Sequence, residues 1–180
     1  MSANKWTLRL GTLAGISAFD HVRARAMPDF VEPLVVELID DFEASASEER
    51  DEFLAAVSPG AARALAWYAR RMAGRAVRES SPQLLWSGLV ALAMAAPQFD
   101  FRDDLGLLAL LYRSAEHLRV NPKELLARAA TLTSTFGRET FFRHLIEGGP
   151  VGRRIERFGY SEGTGPQGFE YLPLPLEDQE

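Results

Sequence analysis

Three histidines, His21, His117 and His144, carry most of the acid–base and metal-binding potential of this sequence. No two are spaced to share one face of a helix, and the pattern His-Glu-x-x-His is absent. There is no cysteine, which excludes disulfides, thiolate zinc sites and cysteine nucleophiles. Glu116 adjoins His117, but neighbours on a helix point apart. A small-ligand or acid–base site would therefore have to be assembled in space around His117 and His144, with Glu116 and nearby arginines. The carboxylate pair Asp103 and Asp104 follows Asp100, and the three read as a helix cap and first-turn acids stabilised by the helix dipole. No Gly-x-Ser-x-Gly elbow activates a serine. The glycines of SEGTGPQG (161–168) lack the strand, helix and Lys-Ser/Thr of a phosphate loop. The expectation is a non-enzymatic chain with no catalytic residue, metal or cofactor.

Binding chemistry is better represented. In SPGAARALAWYARRMAGRAVRES (58–80), a helical rotation of 100° per residue puts Leu65, Ala69, Met72 and Ala76 on one face. Arg63, Arg70, Arg71, Arg75 and Arg78 cluster on the other, with Trp67 in their middle. Trp and Arg are enriched at interface hot spots and stack on each other, so this stripe is the expected partner-binding surface. Two other readings stand beside it. Residues 37–52 carry eight acids against Arg50 alone and can neutralise the stripe internally. Left exposed, the same acids suit an immunity-type inhibitor of a cationic partner. The stripe can also bind RNA or another polyanion, although a net charge of −5 argues against nucleic acid.

The chain ends RFGYSEGTGPQGFEYLPLPLEDQE (157–180). Its glycines and prolines forbid helix, yet Phe158, Tyr160, Phe169 and Tyr171 are too aromatic for an idle tail. These four residues are expected to dock a strap (159–180) back onto a single helical domain (1–158), with FEYL lying near WTLRL and the last residues frayed.

These surfaces need elements to position them. A chain of 180 residues fits one domain, and 47% apolar with 25% charged residues is a globular balance. Only Lys5 and Lys123 among twenty cations are lysine, a bias that fits a GC-rich bacterial genome. The start MSANKWTLRLGTLAGISAF carries Arg9 where a signal peptide is apolar. The apolar run LLWSGLVALAMAA (84–96) is too short to span a bilayer. A cytoplasmic, membrane-free protein is expected.

Pro after a capping residue marks three helix starts, at Ser58-Pro59, Ser81-Pro82 and Asn121-Pro122. Helices are expected over 29–44, 47–57, 59–79, 82–96, 101–118, 122–133 and 137–147. The first shows Phe30, Leu34, Leu38 and Phe42 on one face, and the second is capped by Ser47. WTLRLG (6–11) alternates with strand period and predicts an N-terminal β-hairpin cap over 1–20. KWTLRLGTLAGI (5–16) resembles the opening of site-2-type intramembrane metalloproteases, whose His-Glu-x-x-His motif and spans the chain lacks. That resemblance implies only the same hairpin. The expected fold is mainly α, an antiparallel bundle or short HEAT-like stack of helix pairs. The expected function is a regulatory or protein-interaction scaffold, its partner another protein or a second copy in a homodimer.

Overall fold

A computed structural model describes residues 5–20, 29–98 and 105–132. They form seven helices: α1 Thr7–Asp20, α2 Val31–Ala44, α3 Ser47–Ala56, α4 Pro59–Arg78, α5 Pro82–Ala95, α6 Leu105–His117 and α7 Pro122–Ala130. The mainly α, bundle-like class is as expected. The helix over 137–147, the cap at Asp100, His21, His144 and the strap with Phe158, Tyr160, Phe169 and Tyr171 lie outside the described residues.

The N-terminal hairpin is not formed over the described residues, because α1 occupies 7–20. Trp6, Leu8 and Leu10 satisfy a period of two over only two steps. The longer series Trp6, Leu10, Leu13 has helical spacing, and those three are buried while Leu8 is 81% exposed. Burial of a whole stripe outweighs a short alternation. Gly11 and Gly15 turn nothing; they lie within the helix.

A second correction concerns α2. Its buried residues are Val31, Val35, Leu38, Ile39 and Phe42, so the inward stripe is rotated from the expected one. Leu38 and Phe42 belong to both, but Phe30 and Leu34 face outward. Ser47 is likewise not the cap of α3. Ala46 holds that position in an extended conformation and Ser47 begins the helix, since the link from α2 leaves only Ser45 and Ala46 to make the turn.

The three Pro-marked starts are built as expected. Ser58 accepts from the Ala61 amide at 3.2 Å, Ser81 from Leu84 at 3.4 Å, and Asn121 from Glu124 at 3.3 Å, each satisfying a first-turn N–H. Before two of them the preceding helix closes with a left-handed residue, Ser80 (φ 50°) after α4 and Arg119 (φ 58°) after α6. There the amides of Ser81 and Val120 reach back to Ala76 and Ala115, both at 2.9 Å, which caps the last carbonyls. The tight connections fold α5 back along α4 and α7 back along α6.

Helix α4 is the hub, packing most extensively on α5 and then on α1 and α6. Its small residues allow this. Ala61, Ala62, Ala64, Ala69, Ala73 and Ala76 are all buried, so neighbouring backbones approach closely. A Cβ on Gly60 would lie 3.2 Å from Cα of Ala14 in α1, and one on Gly88 of α5 would lie 3.2 Å from the Ala69 carbonyl oxygen. Ser114 of α6, fully buried, donates toward the carbonyls of Leu110 (2.8 Å) on its own helix and Ala73 (3.1 Å) on α4. Phe53 of α3 meets Trp6 and Phe42 edge-on, each with ring centroids 5.1 Å apart, and this trio joins α1, α2 and α3.

Candidate functional site: two charged surfaces

On α4 the sequence-predicted stripe is present but engaged along one flank. Arg71 donates to Asp29 at 2.7 Å and lies 3.4 Å from Glu32. Arg75 bridges Glu32 at 2.6 Å and, one turn on along its own helix, Glu79 at 2.7 Å. The hydrogen bond from Arg75 holds the Glu79 carboxyl below its ordinary value, and the same contact raises the Arg75 guanidinium. Arg70 and Arg78 are exposed, and Arg63 is half-buried. Trp67 is half-buried too, packed against the core, so its indole is not freely presented among the guanidinium groups. The acids that hold Arg71 and Arg75 come from the start of α2 and the end of α4.

That acidic segment instead faces α1. Lys5 pairs with Glu49, and Arg9 pairs with Asp41 at 2.7 Å. Between them the Trp6 ring is fully buried, its Nε1 donates to the Glu49 carbonyl at 3.1 Å, and both cations flank its face. Arg50 donates to the carbonyls of Phe42 (2.9 Å) and Glu43 (2.6 Å). Trp86 of α5 donates to the Glu43 carboxylate at 3.3 Å, and burial there raises the Glu43 carboxyl above its ordinary value. Glu37, Asp40, Asp41, Glu48, Asp51 and Glu52 remain exposed.

The outward side of α2 adds an apolar component. Phe30 is 61% exposed and Leu34, one turn later, 37%. Pro33 beside them is exposed. Sequence reasoning missed this because it assigned Phe30 and Leu34 to the core. The signal was available: Val31, Val35, Leu38, Ile39, Phe42 is the longer apolar series, and only one stripe can face inward. The Lys5, Trp6, Arg9 arrangement was also legible, as an aromatic with cations one residue before it and three after.

Of the acid–base candidates only His117 and Glu116 fall among the described residues. His117 and Glu116 are exposed at the end of α6. Among the described residues no three His, Asp or Glu side chains are grouped to hold a metal ion, and no helix is long and apolar enough to cross a membrane. Tyr68 is buried against Ser87 at 2.5 Å, and burial pushes its phenol further up, away from any use as a base near neutral pH. Comparison with known proteins adds no family: no family model, curated protein or solved structure matches the chain.

Proposed function

We propose that this chain is a non-enzymatic protein-interaction module, a helical scaffold that presents the outer face of α2 to another protein. The observation that carries the reading is the pair Phe30 and Leu34, exposed one turn apart on a helix whose opposite side is fully built into the core. Adjacent large apolar side chains left in water are a mark of interaction surfaces. The acids that follow them on the same side, Glu37 and Asp40, add steering and selectivity. The arginine stripe supports partner binding less well, because Arg71 and Arg75 are already held by carboxylates. The same contacts weigh against a polyanion ligand.

A photo-reactive side chain at position 34, with a second at exposed position 12 on α1 as control, tests the reading in the source cell. A defined adduct from position 34 that position 12 does not give is expected. No adduct, or the same adducts from both positions, rejects it.

A further inference from the structure

The open face of α2 has a specific character. At 100° per residue, Phe30, Leu34, Glu37 and Asp41 fall within one narrow stripe, with Pro33 and Asp40 at its edge. All six are exposed. The helix contains no Lys or Arg. Apolar surface therefore lies at its N-terminal half and carboxylates at its C-terminal half, with no cation on the helix itself to offset them. At Asp41 the stripe meets α1, whose Arg9 takes that carboxylate.

The turn that leads into α1 also shows what the α2–α3 surface accepts. There the Trp6 ring is buried, and the cations on either side of it, Lys5 just before α1 and Arg9 in its first turn, reach Glu49 and Asp41, while the rest of α1 packs on α4. We infer that the remaining part of the surface, Phe30 to Asp40, docks a segment of the same chemistry from another protein, an amphipathic helix with an apolar stripe flanked by Lys or Arg. This rests on the interaction reading above and names its partner class. A second copy of this chain fits less well. A symmetric pair uses the same face on both copies, and this face carries no cation to answer Glu37 and Asp40, while Arg71 and Arg75 of α4 are in use.

The absence of cysteine makes a direct experiment available. In the full chain, Leu34→Cys supplies a single thiol on the face, and its reaction rate with a maleimide reports whether the face is open. The probe is a synthetic Leu/Lys amphipathic helix matched in length to α2, with a scrambled peptide of the same composition and a Leu/Glu helix as controls. Expected are fast labelling in the free chain, protection by the Leu/Lys helix alone, and loss of about tenfold in affinity for that helix on Phe30→Ser with an unmodified Leu34. Glu37→Lys with Asp40→Lys should weaken it as much and flatten its salt dependence. Equal protection by the scrambled peptide would reduce the effect to bulk charge and overturn the inference. Fast labelling with no protection overturns the partner class while leaving the interaction reading in place. Slow labelling in the free chain overturns both: if it speeds up on dilution, a second copy covers the face, and if it does not, the chain's own remaining residues do.

Discussion

Gly88 of α5 lies against Ala69 of α4 so closely that a Cβ on Gly88 would come within 3.2 Å of the Ala69 carbonyl oxygen and 3.3 Å of the Met72 Cβ. Two backbones in this contact cannot move apart without opening the core between them. Gly88→Val should therefore cost about 1–3 kcal/mol through overpacking, read as a shift in the urea midpoint at unchanged slope. Gly11→Ala gives the opposite sign. Gly11 is inside α1, and a methyl added there would meet nothing within 4 Å, so only helix propensity changes and about 1 kcal/mol is gained. If both substitutions move stability the same way, the close α4–α5 packing is wrong.

The pattern that placed these helices was local, and so was what the sequence made readable. Ser58, Ser81 and Asn121 each announce a helix with a side chain that accepts from the third residue onward, and each does so. Burial of Leu65, Ala69, Met72 and Ala76 follows from the 3.6-residue period of α4. What stayed hidden depends on which of two nearly equal stripes wins. Trp6 fits both a strand of three residues and a helix of many turns. Phe30 fits an apolar series that loses to Val31, Val35 and Ile39. The carboxylates facing Arg71 and Arg75 were hidden for a further reason: Asp29 and Glu32 are forty-odd positions away, and no periodicity along one helix says which neighbour crosses it.

Two glutamates should respond to pH with opposite signs. Glu79 has its carboxyl lowered in the folded chain by Arg75. Its contribution is present above the ordinary value of 4.5 and is lost as pH falls through the lowered one. Glu43 is raised by burial. Its contribution is present below its ordinary value and is lost as pH rises through the raised one. At neutral pH, Glu79→Gln should therefore lower the melting temperature and Glu43→Gln should hold or raise it, because glutamine can still accept from Trp86. Both differences should shrink as the solution is acidified below pH 4.5. Melting curves of the two variants over that range decide it; a Glu43→Gln protein that is less stable at neutral pH contradicts the account of partial desolvation at Glu43.

Ser80 and Arg119 sit in the left-handed region, where a side chain costs about 1–2 kcal/mol. Glycine removes that cost but adds back about 0.5–1 kcal/mol of chain entropy. Ser80→Gly and Arg119→Gly should each stabilise by about 0.5–1 kcal/mol, and the two should add, because they close different helices. Ser80→Val should destabilise, since a β-branched side chain is poorly tolerated at positive φ. Chemical denaturation of the three variants tests the two turns separately from the core.

The seat of α1 separates apolar from ionic contributions in one place. Trp6 is fully buried, meets Phe53 edge-on at 5.1 Å and donates to the Glu49 carbonyl. Trp6→Ala removes that volume and leaves the carbonyl without its donor, so a loss of about 3–5 kcal/mol is expected. The cations beside the ring do much less. Lys5 and Glu49 have side chains 50% and 45% exposed, and Arg9 and Asp41 34% and 55%. Lys5→Ala and Arg9→Ala should each cost about 0.2–1 kcal/mol and lose even that in high salt. Trp6→Ala should be insensitive to salt. If the two cation variants instead match Trp6→Ala, and salt alone weakens the native chain by as much, then the turn into α1 is held by charge, and the analogy drawn from it for a docked helix would rest on ion pairs without the apolar anchor.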